Sequence, residues 1–207
     1  MPAFDHSPRQ KSLAARYGLV IFDMDGTLTR GQVDFAAMRQ EIGLPEKGPI
    51  LESIMQLPAD FRRRAEDILH RHEAAAADAC TLQDGALELL TALKQRNIRT
   101  ALLTRNSAIC TTDVLARHKL MLEHISTRED LPHKPHGEAI LKITRQMRIL
   151  PEQTLMVGDY LYDLQTARNA GVDSALLYVE SGPLPEYATM ATYVLRHLAE
   201  ILPLVDG

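Results

Sequence analysis

Apolar positions along this chain follow two alternating rhythms. Short unbroken apolar runs read as strands buried on both faces, and longer stretches with apolar residues three and four apart read as helices. The first run, Leu19 to Phe22, leads straight into Asp23-Met24-Asp25-Gly26-Thr27-Leu28. Further strands are predicted over 100–104, 124–126, 154–158, 174–179 and 191–194. Helical patterns separate them. One starts at Asp84-Gly85, with Asp84 as cap and Leu87, Leu90 and Leu93 inward. Another follows a cap at Asn106 or Ser107 and runs to His118. A third spans 136–148 with Ile140, Ile143 and Met147 on one face, a fourth spans 161–170 and is closed by Gly171, and the last spans 197–204. Strands that alternate with helices predict an α/β fold, a Rossmann-like, doubly wound parallel sheet with helices on both faces.

Between Thr29 and Gln83 the rhythm is helical only, with no strand signal. Val33 to Ile42 forms one helix, broken at Gly43-Leu44-Pro45. Ile50 to Met55 forms a second, ended by Pro58. Asp60 to Ala79 forms a third, with Phe61, Ala65, Ile68 and Leu69 on its apolar face and Arg62, Arg63 and Arg64 on a solvated one. The chain therefore divides into a polar N-terminal tail (1–16), an α/β body (17–29 and 84–207) and an all-helical insertion (30–83) after the first strand. Gly31 and Gly85 stand at its two ends and can absorb backbone rotation there.

Composition narrows the function classes. A formal charge of −4 and a pI near 6.1 give no basic footprint for nucleic acid. No apolar run approaches the roughly 20 residues that span a bilayer, so no membrane partner is expected. Residues 1–16 hold Arg9, Lys11 and Arg16 without an apolar segment and do not read as a secretory signal. Cys80 and Cys110 are too few for a disulfide framework, and no metal-ligand spacing surrounds them. They read as free thiols of a reducing cytoplasm. A monomer or a homodimer is expected.

The polar residues that follow the strands carry the chemistry. In such sheets ligands bind outside the carboxyl ends of the strands. Asp23 and Asp25 follow the first strand, Thr104 ends the second, Asp159 follows the fourth, and Lys134 sits in the loop Leu131-Pro132-His133-Lys134-Pro135. His133 and His136 flank that lysine as loop residues. Asp-x-Asp-Gly also opens a calcium loop of the EF-hand type, but the twelfth position of such a loop falls here on Asp34, not Glu, and a strand precedes it instead of a helix. Four carboxylates, Asp23, Asp25, Asp159 and Asp163, against Lys134 leave the edge at −3. A site so charged calls for a hard divalent cation with oxygen ligands before it can accept an anion.

Asp23-Met24-Asp25-Gly26-Thr27-Leu28, Thr104, Lys134-Pro135 and Gly158-Asp159-Tyr160-Leu161-Tyr162-Asp163, in that order, resemble the four motifs of the haloacid dehalogenase-like hydrolase superfamily. The match runs from Leu19 to Leu204 and lies nearest the branch of phosphoglycolate phosphatase and β-phosphoglucomutase, whose small helical cap the insertion resembles. The resemblance implies a Mg²⁺-dependent phosphatase acting on a small phosphomonoester. It implies Asp23 as nucleophile and Asp25 as general acid and base. It implies Mg²⁺ held by the Asp23 carboxylate, the Asp25 carbonyl and Asp159, with Asp163 binding directly or through water. Gly26, Thr104, Arg105, Asn106 and Lys134 are the implied phosphate-binding residues. Tyr160 departs from the family, which more often has a small hydroxyl residue there, and narrows the expected pocket. Three other readings compete. A dehalogenase has no need of Asp25, a phosphomutase needs a larger cap, and a phospho-receiver carries its phosphorylated Asp on a later strand.

Overall fold

Leu19, Ile21 and Val20, Phe22 point to opposite faces of one strand, β1 (Leu19–Phe22), and all four side chains are fully buried. Each buried side chain of this size is worth roughly 1.5–3 kcal/mol. That burial fixes β1 at the centre of the sheet and with it the position of whatever follows Phe22. The computed structural model describes residues 17–31 and 33–206; the expected tail over 1–16 lies outside the described residues.

Six strands form one parallel sheet. β1 lies between β4 (Arg99–Leu103) and β6 (Thr154–Gly158), so that Phe22 pairs with both Leu102 and Val157. β5 (His124–Ser126) lies outside β4, and β7 (Asp173–Leu177) and β8 (Tyr193–Leu195) lie outside β6. The chain adds strands on one side of β1 and then crosses to the other, which opens a crevice at the carboxyl end of β1. Helices α4 (Ala86–Gln95), α5 (Ala108–His118) and α8 (Ile201–Asp206) cover the face of Val20 and Phe22. Helices α6 (Glu138–Met147) and α7 (Leu161–Ala170) cover the face of Leu19 and Ile21.

The insertion folds as α1 (Phe35–Ile42), α2 (Ile50–Met55) and α3 (Ala59–Ala79) around a small core of its own: Val33, Met38, Ile54, Ala65, Ile68 and Leu69. Gly43 ends α1 in the left-handed conformation, as its position after the last periodic residue predicts.

Four expectations are corrected. The ends of the insertion pair as a two-stranded antiparallel ribbon, β2 (Thr29–Arg30) with β3 (Thr81–Leu82). Strands of two residues are too short to show a period, so no strand was expected there. Phe61 is 68% exposed although its spacing matches the apolar face of α3. Leu87 is 40% exposed, and Leu89 takes its inward place on α4 beside Leu90 and Leu93. Asp84 does not cap α4, because Gly85 is the capping residue and the Asp84 carboxylate pairs with Arg30 across the ribbon. At α5 the cap is Ser107, whose hydroxyl accepts from the Cys110 amide. Cys80 and Cys110 are free, as expected, and both are buried. The packing of α3 on α5, however, sets Cys110 beside His70 and Glu73, a proximity that the spacing around the cysteines did not announce.

Gly31 has φ of +111°, and a side-chain carbon there would sit 3.2 Å from the Cys80 backbone. Gly31→Ala is therefore expected to destabilise the fold by about 1–3 kcal/mol, read from the urea midpoint. An unchanged midpoint would show that this end of the insertion tolerates a side chain.

Candidate active site

The loop after β1 closes on itself. The amides of Leu28 and Thr29 both donate to the Met24 carbonyl, and the Gly26 amide donates to the Thr29 carbonyl. Buried Met24 and Leu28 anchor the turn from below. Asp23 leaves the strand with its amide still bonded to the Val157 carbonyl, so its carboxylate is held at the sheet edge.

Lys134 reaches this edge from the loop between β5 and α6 and is 3% exposed. Its ammonium donates to Asp23 Oδ1 at 2.6 Å and to Asp163 Oδ1 at 2.7 Å. Burial works against the charge of Lys134, yet Asp163 and Asp23 together hold its pKa above the usual lysine range. The second oxygen of Asp163 accepts from the Tyr160 amide, which orients the carboxylate from the first turn of α7.

Asp23, Asp159 and Asp163 offer carboxylate oxygens that lie within 4.8 Å of one another. Two glycines make room for that approach. A side chain at Gly26, which has φ of +81°, would collide with the Asp159 carboxylate, and one at Gly158 would collide with Asp163. Burial, then the charges of Asp23 and Asp163, pushes the Asp159 pKa up to about 8. An all-oxygen cluster that resists its own ionisation fits a hard dication.

Asp25 stands apart from this cluster. Asn106 Nδ2 donates to its Oδ2 at 2.5 Å and the Thr29 hydroxyl to its Oδ1 at 3.3 Å. Burial and then the charge of Asp23 raise its pKa to about 6, against the pull of these hydrogen bonds. Thr104 is buried at the end of β4, its hydroxyl accepting from the Asn106 amide.

These residues line one cavity of about 450 Å³. The sheet edge forms its floor and supplies Asp23, Asp25, Thr104, Lys134, Asp159 and Asp163. The insertion forms an apolar wall from Val33, Phe35, Met38, Ile50, Leu51 and Leu69. Arg105 lies between the two. Its guanidinium donates to both oxygens of Glu52 on α2, at 2.8 and 2.9 Å, and rests 4.8 Å from the centre of the Tyr162 ring. Tyr160 packs edge-on against Tyr162 and Tyr187 and narrows the same cavity.

The structure thus brings together every residue expected at the site. Gly26 lies against Asp159, and Asn106 and Arg105 are engaged with Asp25 and Glu52. Arg62 turns to the Leu57 carbonyl, Arg63 and Arg64 are exposed, and none of the three lines the cavity. The sequence reading missed Glu52 and Arg39. Arg39 lines the cavity, and its guanidinium donates to the carbonyls of Pro45 and Gly48. Both lie on helices whose charged residues carry no period that marks a site.

The family model for haloacid dehalogenase-like hydrolases matches residues 17–171. The chain belongs to that family. It is 32% identical to a Saccharomyces cerevisiae hydrolase described as uncharacterized, covering 91% of this chain and 90% of the relative. It is 29% identical to phosphoglycolate phosphatase 1 of Pseudomonas aeruginosa, covering 91% and 79%. A crystal structure of a hydrolase from Pseudomonas syringae superposes with a TM-score of 0.76 at 21% identity, covering 91% and 98%, a likeness of fold. As a haloacid dehalogenase-like hydrolase the chain is an enzyme, and the α/β reading of its fold holds. Among the described residues no helix is long and apolar enough to cross a membrane.

Lys134→Met removes the one ammonium between two buried carboxylates. It is expected to cost about 3–5 kcal/mol at neutral pH in urea denaturation without metal, and the loss should shrink on acidification. A loss below about 1 kcal/mol would mean that the pair is not what holds the edge together.

A second expectation concerns pH. The Asp159 pKa is raised from 3.8 to about 8, so in chelator the folded state holds a proton that the unfolded state has lost. Stability should fall as pH rises from about 4 to about 8, by at most about 1.4 kcal/mol per pH unit for this group. Thermal melts with and without divalent metal test it. A chelated protein that gains stability across this window would contradict the assignment.

Proposed function

We propose that this chain is a Mg²⁺-dependent phosphoric monoester hydrolase that acts on a small phosphomonoester through an aspartyl-phosphate on Asp23. The observation that carries the reading is the position of Asp23, which belongs to the oxygen cluster and to the Lys134 pair at once. Asp25, two residues on, lies outside the cluster with its own hydrogen bonds.

Asp23 and Asp159, with the Asp25 carbonyl, would hold Mg²⁺, and the ion when bound supplies positive charge to the phosphoryl oxygens. Both oxygens of Asp163 already accept hydrogen bonds, which favours contact through water and a main role in aiming Lys134. An oxygen of Asp23 attacks phosphorus as the ester P–O bond breaks. Asp25 gives its proton to the departing alkoxide. The Asp25 carboxylate then takes a proton from water, which attacks phosphorus, releases phosphate and restores Asp23. Lys134 and the Thr104 hydroxyl steady the charge on the phosphoryl group throughout. A raised Asp25 pKa, near 6, suits a group that must both give and take a proton close to neutrality.

In this reading the insertion is a cap. Its apolar wall excludes water and selects the leaving group, while the body supplies every group that handles phosphate or protons. The Glu52–Arg105 pair ties the cap to the body over the site. Gly31 and Gly85, both at positive φ, serve as hinges at its ends. Two free cysteines suit a cytoplasmic enzyme.

Hydrolysis of p-nitrophenyl phosphate is the test. Turnover should require Mg²⁺ and vanish in EDTA. Asp23→Asn should keep the circular dichroism spectrum of the parent and lose kcat by at least about a thousandfold. A near-parental kcat in that variant would sink the mechanism.

A further inference from the structure

Helix α3 carries a second cluster, away from the catalytic acids. His70 and Glu73 are three residues apart on it, so both side chains lie on one helix face. That face packs against α5, which contributes Cys110 from its first turn. A ring nitrogen of His70, a carboxylate oxygen of Glu73 and the Cys110 sulfur all lie within 4.8 Å of one another.

One feature of this cluster lacks an explanation from packing alone. Glu73 is 6% exposed, and its partner Arg128 engages only Oε1, at 2.5 Å. Oε2 is buried with no hydrogen-bond partner. An orphaned buried acceptor costs about 1–3 kcal/mol, more when charged. Cys110 is a buried free thiol at the point where the helices meet, as free cysteines commonly are, and places its sulfur beside that oxygen's carboxylate.

We propose that His70, Glu73 and Cys110 form a binding site for a transition-metal dication of the zinc type, separate from the acidic cluster at Asp23. One nitrogen, one oxygen and one sulfur are donors for Zn²⁺ and poor donors for Mg²⁺, which takes oxygen. His70 is exposed, so the ion enters from solvent and a water completes four ligands. On binding, the Cys110 thiol releases its proton to the buffer and the thiolate sulfur bonds the metal. The Glu73 oxygen without a partner gains one, and Arg128 keeps the other.

The site joins the insertion to the body, since α3 belongs to one and α5 to the other. Glu73 also lines the catalytic cavity. Zn²⁺ bound there would link the insertion to the body beside the substrate space.

The test is a Co²⁺ titration of the full chain with Mg²⁺ saturating, so that the acidic cluster is occupied. Cobalt bonded to thiolate gives a near-ultraviolet charge-transfer band that carboxylates do not. The band should appear in the parent and in Cys80→Ser, be abolished in Cys110→Ser, and be displaced by Zn²⁺. His70→Ala changes an exposed residue and should keep the fold while weakening Co²⁺ binding at least about tenfold. Absence of the band in the parent, its survival in Cys110→Ser, its loss in Cys80→Ser, or parental affinity in His70→Ala would each overturn the proposal.

Discussion

One ammonium group organises the carboxyl edge of this sheet. Lys134 sits between Asp23 and Asp163 with almost no access to water. Desolvating an ion costs several kcal/mol, and either carboxylate left alone there would be strongly unfavourable. The surrounding structure serves this arrangement. Four fully buried residues of β1 fix Asp23 from one side, and the first turn of α7 fixes Asp163 from the other. Gly26 and Gly158 leave out the side chains that would keep the third acid, Asp159, and Asp163 from closing in. A single lysine does not neutralise three acids, and the raised pKa of Asp159 is where the imbalance shows. The edge therefore carries more negative than positive charge, which is the physical ground for proposing a hard dication and a phosphoryl substrate together.

The insertion answers a different constraint. A polar floor open to water would screen the charges on which the proposed chemistry depends. Three helices with their own apolar core close over it and turn a hydrophobic wall toward the cavity. Their polar links to the body include Glu52 with Arg105 above the cavity, Glu73 with Arg128 at its side, and Asp78 with Arg117 at the end of α3. Arg105 thus has two neighbourhoods, since it follows Thr104 in the motif and yet faces the insertion. Its engagement with Glu52 leaves Lys134 as the cation that touches the acids of the floor.

The sheet and its edge were legible because their signals are local. Uninterrupted apolar runs at Leu19–Phe22 and Thr154–Gly158 leave no choice but buried strands, and the acids follow them directly. Lys134 was legible only through the motif order; nothing in its proline-flanked loop says that its side chain is buried. What escaped depends on distant pairing. β2 and β3 are two residues each and exist because the fold of the insertion between them brings Arg30 back to Thr81. Phe61 and Leu87 fit a helical period but face solvent, since a period marks a stripe and not the element that covers it. Cys110 carries no ligand spacing in the sequence, and its neighbours His70 and Glu73 arrive from another element.

The proposed mechanism requires an oxygen of Asp23 to make the first bond to phosphorus. The direct measurement is to quench the enzyme during turnover of a phosphomonoester with Mg²⁺ and reduce it with borohydride, which converts an acyl phosphate to the alcohol. Peptide mass spectrometry should then find homoserine in place of aspartate at position 23 and nowhere else. An unmodified Asp23 under conditions where turnover is arrested at the intermediate, or the same conversion at Asp25 or Asp159, would contradict it.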